Sequence, residues 1–297
     1  MNTDAPLSGR KHPLIRFLRN LVIGVLTIYL CVILFLVFSE TRLVFPGIDK
    51  DRGKSGNWEP DFEFEEVWLD SADGFKIHGW FLTKTDASRS VLLFHGNAED
   101  VPHVAERYAR RVGEAIDANV LVYDYRGFGK STGSPNESNT IDDGELMLDW
   151  LIDRSKSSGA QEIIYYGSSL GGGVAVGLAE RRTPAHLVLD RTFDALTSPG
   201  AEQYPWIPVK LIMRNRFDSA SRIAEIDVPL FQSHNTHDQL CKIKFARRLF
   251  KQAKTTDKEF YELPEGGHFD NLPDHYWQKL QSYFEAREIS KGENDSE

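Results

Sequence analysis

Apolar positions along the 297-residue chain fall into three patterns, and each predicts a different kind of element. From Leu21 to Phe38 no residue is charged and nearly all are apolar. Eighteen residues of helix rise roughly 27 Å, close to the roughly 30 Å hydrocarbon core of a bilayer. A secretory signal has a shorter apolar run, and Ser39-Glu40-Thr41-Arg42 offers no small-x-small cleavage site. The run therefore predicts a retained transmembrane anchor over 21–39. Further on, short β-prone runs predict strands at 63–69, 76–82, 90–94, 119–124, 163–167, 185–190, 229–234 and 258–263. Between most of them apolar residues recur at helical spacing, over about 101–117, 140–157, 170–182, 243–253 and 275–286. Two leading strands followed by strand–helix alternation predict an α/β fold, with a mostly parallel eight-stranded sheet and helices on both faces.

The remaining segments set boundaries. Pro46, Gly47, Gly53, Gly56 and Pro60 mark 40–61 as a stalk or linker ahead of a catalytic domain over 62–286. Within it, 191–226 reads as a short cap, made apolar by Tyr204-Pro205-Trp206-Ile207-Pro208-Val209 and Leu211-Ile212-Met213. The polar residues 287–297 are expected to form a disordered tail. Arg10, Lys11, Arg16 and Arg19 precede the anchor, whereas Arg42, Lys50, Arg52 and Lys54 beyond it are interspersed with Glu40, Asp49 and Asp51. This bias puts 1–20 in the cytoplasm and the domain on the non-cytoplasmic side, whether periplasmic, luminal or extracellular.

Composition narrows the function. The net charge is −9, and residues 1–42 carry five cations against Asp4 and Glu40, which leaves about −12 on the rest of the chain. A surface of that sign does not favour a phosphate backbone, so no nucleic-acid partner is expected. There is no zinc-type His-x-x-x-His, Walker loop or dinucleotide fingerprint, so neither a metal nor another cofactor is expected. Cys31 lies in the anchor and Cys241 is alone in the domain, so no disulfide can form within it.

The chemistry-bearing signal is Gly167-Ser168-Ser169-Leu170-Gly171. It stands between the β-prone run Ile163-Ile164-Tyr165-Tyr166 and the small, apolar, helix-suited run Gly172–Ala179. A serine at a sharp strand-to-helix turn has its hydroxyl held out of the protein, and flanking glycines let strand and helix approach. Such a hydroxyl needs a base in reach and a third group to orient that base. Downstream, Asp238 follows the strand at 229–234, and His268 sits in the Gly266-Gly267-His268 turn after the strand at 258–263. Both stand just past strand ends, where loops carry catalytic side chains in open α/β sheets. Asp190 also ends a strand and competes for the role of the acid, with a helix cap or a salt bridge to Arg191 as the structural alternative. Ser90–Phe94 and the loop His95-Gly96-Asn97-Ala98 after it point to an oxyanion hole, shared by the backbone N–H groups of Asn97 and Leu170.

These segments resemble the α/β-hydrolase superfamily, and within it the membrane-anchored α/β-hydrolase domain-containing proteins. The residues that carry the likeness are His95-Gly96-Asn97-Ala98, Asp124-Tyr125-Arg126-Gly127-Phe128-Gly129-Lys130-Ser131, Gly167–Gly172, the strand with Asp238, and Gly267-His268, spread from about residue 62 to about 285. The resemblance implies Ser169 as nucleophile, His268 as base, Asp238 as orienter, and Asn97 with Leu170 as oxyanion donors. It also implies an esterase, thioesterase or lysophospholipase. The expected enzyme is a membrane-tethered serine hydrolase acting on small-molecule or lipid acyl esters or thioesters, without an obligate protein partner. A peptidase or amidase with the same triad, and a non-catalytic binding protein on the same fold, stand as alternatives.

Overall fold

The computed structural model describes residues 13–48, 63–84, 86–160 and 162–294, so the first twelve residues, most of the expected linker and the last three residues lie outside it. The orientation signal carried by Arg10 and Lys11, and by Lys50, Arg52 and Lys54, therefore falls outside the described residues. The chain divides into two compact units, Met1–Glu40 and Thr41–Glu297.

Helix α1, Pro13–Val44, overruns the expected anchor at both ends. Among the described residues it is the one helix long and apolar enough to cross a membrane, and none of its apolar stretch is buried. The expected stalk from 40 to 61 divides in two. Thr41–Val44 complete the helix, and Val44 and Phe45 are buried, while 49–61 lie outside the described residues. Phe45 is apolar enough to leave water at the first opportunity: it meets Phe128 and Phe217 edge to face, with ring centroids 6.4 and 6.3 Å away.

The second unit is built on one eight-stranded sheet in the order β1-β2-β4-β3-β5-β6-β7-β8. Its strands are β1 (Phe64–Asp70), β2 (Lys76–Leu82), β3 (Arg89–Phe94), β4 (Ala118–Tyr123), β5 (Glu162–Ser168), β6 (His186–Asp190), β7 (Leu230–Asn235) and β8 (Lys258–Leu263). β2 runs antiparallel to β1 and β4, and the other pairings are parallel.

Side chains alternate across a strand, so each central strand feeds two cores. Leu92, Phe94, Leu121, Tyr123, Tyr165, Leu187 and Leu189 join one core, with apolar residues of α4 (Glu137–Ser158), α5 (Leu170–Arg181) and α9 (Ile243–Gln252). Val91, Leu93, Val120, Val122, Ile164, Tyr166 and Val188 join the other, with the segment Val101–Ile116 and with α10 (Asp274–Asn294). The segment Val101–Ile116 is not one regular helix. α2 (Val101–Val104) passes through a π-helical turn, Ala105–Ala109, into α3 (Arg110–Ile116).

The cap region carries three short helices, α6 (Thr197–Gln203), α7 (Val209–Ile212) and α8 (Ser219–Ile223). At the C-terminus α10 continues to Asn294, past residue 286 where the sequence predicts a disordered tail. The helix has local reasons to persist. The Arg287 guanidinium lies over the Tyr283 ring at 3.6 Å and pairs with Asp257, and Glu288 pairs with Arg89. Residues 295–297 lie outside the described residues.

Candidate active site

β5 ends at Ser168 and α5 begins at Leu170, so Ser169 alone makes the turn between them. Its φ of 54° and ψ of −117° lie in a region that a side chain disfavours, at a cost of about 1–3 kcal/mol. The surrounding backbone holds the strained peptide from both sides. Ser169 N–H donates to the Asp190 carbonyl at 2.8 Å, and the Ser169 carbonyl accepts from Gly172 N–H at 3.0 Å and from Thr192 Oγ1 at 2.8 Å. The turn is also too tight for other residues at two places. A Cβ on Gly167 would lie 2.6 Å from the Gly171 carbonyl oxygen, and one on Gly171 would lie 2.0 Å from the Phe94 carbonyl oxygen.

Three loops that follow parallel strands meet at this turn. The Ser169 hydroxyl lies 2.8 Å from His268 Nε2, and His268 Nδ1 lies 2.6 Å from Asp238 Oδ2. An ionised carboxylate can only accept, so Nδ1 carries the proton, and Nε2 is left to accept from the serine hydroxyl. The other oxygen of Asp238 accepts from the backbone N–H groups of Leu240 (2.9 Å) and Cys241 (2.8 Å). Burial pushes the Asp238 pKa up, but hydrogen bonds from His234, His268 and the Cys241 N–H outweigh it and hold the group well below the usual carboxylate range. His234 is a member of the site that sequence reading passed over. It is fully buried, donates from Nε2 to the Cys241 carbonyl at 2.6 Å, and lies 3.4 Å from Asp238 Oδ2. Its position four residues before Asp238, at the end of β7, is the only sequence signal for it.

The loop after β3 lies alongside. A Cβ on Gly96 would be 3.8 Å from Ser169 Cβ. Asn97 is held by its other groups: its carbonyl accepts from Gly47 N–H at 3.1 Å, and its side-chain amide donates to the Val44 carbonyl at 3.3 Å. Among the described residues the backbone N–H groups of Asn97 and Leu170 have no protein acceptor. Also among the described residues, no three His, Cys, Asp or Glu side chains are grouped to hold a metal.

Comparison with known proteins bears on this arrangement. A family model described as Chlamydia CHLPS protein (DUF818) matches residues 72–186. Protein Rv2307c of Mycobacterium tuberculosis is 34% identical over 207 residues, covering 69% of this chain and 72% of that protein. The α/β-hydrolase domain-containing protein WAV2 of Arabidopsis thaliana is 25% identical over 286 residues, covering 88% and 92%. The chain belongs to the α/β-hydrolase superfamily and is similar to its α/β-hydrolase domain-containing proteins. A solved structure of the Pyrococcus furiosus esterase Pf2001 shares the fold, with a TM-score of 0.64, 23% identity and coverage of 78% of this chain and 94% of that one.

In this α/β-hydrolase, Asp190 is committed elsewhere. Its carboxylate accepts from Arg191 Nε at 2.7 Å and from Ser233 Oγ at 2.9 Å. Arg191 in turn donates to the carbonyls of His268 (2.9 Å) and Asp270 (2.8 Å), so Asp190 reaches the histidine loop only through a buried arginine. Burial works against the charge of that guanidinium, and Asp190 beside it holds its pKa above the ordinary arginine value. Several large apolar side chains stand in solvent: Tyr204, Trp206 and Leu211 in the expected cap region, Leu240 two residues after Asp238, and Phe269 next to His268.

Proposed function

We propose that this α/β-hydrolase is a membrane-tethered serine hydrolase that cleaves carboxylic ester or thioester bonds of lipid or other acyl substrates. The observation that carries the reading is the unbroken line from the Ser169 hydroxyl through His268 to Asp238, with links of 2.8 and 2.6 Å. A line of this polarity lets Ser169 Oγ attack an acyl carbonyl while its proton passes to His268 Nε2. The same proton then goes to the leaving alkoxide or thiolate as the carbon–oxygen or carbon–sulfur bond breaks. Water repeats the sequence on the acyl-serine: it gives a proton to Nε2, the acid departs, and Ser169 recovers its hydroxyl.

In this reading Asp238 holds the Nδ1–H tautomer and stabilises the imidazolium. Its pKa, held well below the usual range, keeps it ionised throughout. The N–H groups of Asn97 and Leu170 receive the negative oxygen of the tetrahedral intermediate. Losing one such donor typically costs about 2.7–4 kcal/mol of transition-state stabilisation. The esterase Pf2001, which shares the fold, supports an acyl-ester substrate class. The apolar run of α1 supports an anchor over 21–39, and the cations Arg10, Lys11, Arg16 and Arg19 ahead of it support a domain on the non-cytoplasmic side. A tether of this kind raises the local concentration of lipid substrates, and the exposed cap residues Tyr204, Trp206 and Leu211 offer an apolar wall for an acyl chain.

The test is a matched set of ester, thioester and anilide substrates sharing one acyl group, offered to the full chain in detergent. Ester and thioester turnover that disappears in Ser169→Ala is expected. Cleavage of the anilide alone would make the protein an amidase, and no turnover of any substrate would leave a binding protein.

A further inference from the structure

The loop that carries Asn97 and the loop that carries His268 share an ion pair that the triad itself does not use. Glu99 is partly buried, and its carboxylate accepts from Gly96 N–H at 2.8 Å, Arg107 Nη1 at 3.0 Å and the Tyr108 hydroxyl at 3.0 Å. The first of these bonds fixes the peptide just ahead of Asn97, beside Ser169. Arg107 then spends its remaining donors on the chain just after His268. It donates to the carbonyls of Phe269 and Asp270 (3.2 Å) and to Asn271 Oδ1 at 3.1 Å. Burial works against the charge on Glu99, but His95, the Gly96 N–H and Arg107 keep its carboxyl below its ordinary pKa.

Two of the donors to Glu99 sit where the helix is irregular. Arg107 and Tyr108 are consecutive, and on a regular helix consecutive side chains point about 100° apart. They sit in the π-helical turn Ala105–Ala109, an arrangement rare in proteins and frequent at functional sites, and both reach the same carboxylate. Arginine is suited to the position because its planar fork can serve a carboxylate on one side and carbonyls on the other.

We infer that Glu99 and Arg107 are positioning residues that hold the oxyanion-donor loop and the histidine loop in register with each other. Neither touches the reacting atoms; each acts through Gly96–Asn97 or through the peptide after His268. The inference rests on the serine-hydrolase reading above. Misplacing either loop by about 1 Å separates the charge-stabilising donors from the base. Geometric loss of that kind lowers turnover by up to about a hundredfold while leaving substrate binding nearly intact.

The test uses the full chain in detergent micelles, with fluorophosphonate titration of active sites so that rates refer to competent molecules. The variants are Glu99→Gln, Arg107→Lys and their double. Glu99→Gln and Arg107→Lys should each lower kcat per titrated site by about tenfold to a hundredfold, with KM moving less than about threefold. The double variant should be no worse than the worse single. Arg107→Lys keeps a cation at a partly exposed position and carries the test alone should Glu99→Gln fail to fold. A purely structural pair would lower the unfolding midpoint while leaving kcat per titrated site within twofold of the parent, and that result overturns the inference. Additive losses in the double variant also overturn it, since the residues would then act separately. If the unsubstituted protein takes no label on Ser169, the serine-hydrolase reading falls and this inference with it. Labelling of the parent with unaffected variants removes this inference alone.

Discussion

Gly47 and Asn97 are joined by a backbone hydrogen bond of 3.1 Å, so the chain just past α1 is built into the loop proposed to offer the oxyanion donor. Val44 adds a second link through the Asn97 side chain, and Phe45 secures the strap by burying its ring against Phe128 and Phe217. The segment 44–47 is therefore part of the candidate site and not a passive lead-in.

Phe45→Ala removes a fully buried ring, and such truncations cost about 3–5 kcal/mol. Chemical denaturation of the full chain should show a loss of that order, together with a lower kcat as the Asn97 loop loosens. A change below about 1 kcal/mol would mean that the strap is not held by its aromatic anchor.

Ser169 carries a positive φ that glycine tolerates without strain. Ser169→Gly should raise stability by about 1 kcal/mol or more, whereas Ser169→Ala, which keeps a Cβ, should not. Comparing the two unfolding midpoints separates backbone strain from loss of the hydroxyl. Equal stabilities would contradict the strained-elbow account.

Asp238→Asn and Asp190→Asn should fail differently. In serine proteases the corresponding amide substitution lowers kcat about 10⁴-fold through the wrong histidine tautomer, and Asp238→Asn should show a loss of that order. Asp190→Asn leaves Arg191 buried without its counter-ion, which predicts a stability loss of about 3–5 kcal/mol and a smaller kinetic effect per folded molecule. Equal kinetic losses in two folded variants would reassign the acid.

The ionised form of Asp238 is favoured by folding, since its pKa in the native protein is lower than that of a free carboxylate. Its contribution is therefore complete above the unfolded-state value of about 3.9 and is lost as the pH falls towards the lower native value. Stability profiles of the parent and of Asp238→Asn should converge as the pH drops below about 4. A gap between them that stays constant down to pH 2 would show that the carboxylate is not specifically stabilised.

Much of the fold is legible in the sequence because its signals are local. The eight predicted strands match the observed ones to within a residue or two, since short β-prone apolar runs ending in turn residues are read without knowing what lies opposite. Ser169, Asp238 and His268 also stood out, each from its place at a strand end. What could not be read depends on contacts far apart in the chain. Phe45 looks like linker until Phe128 and Phe217 are brought to it, and α10 outlasts its polar sequence because Asp257 and Tyr283 meet Arg287. The π-helical turn that carries Arg107 leaves no periodic trace. His234 and Arg191 look like ordinary strand-end polar residues until the buried groups they serve are known.

The most direct measurement is intact-protein and peptide mass spectrometry after treating the full chain with a fluorophosphonate. The account predicts one phosphonyl adduct per molecule, located on Ser169, with its rate of formation falling sharply in His268→Ala. An adduct on any other residue, or no adduct on a folded protein, would contradict the assignment of Ser169 as the nucleophile.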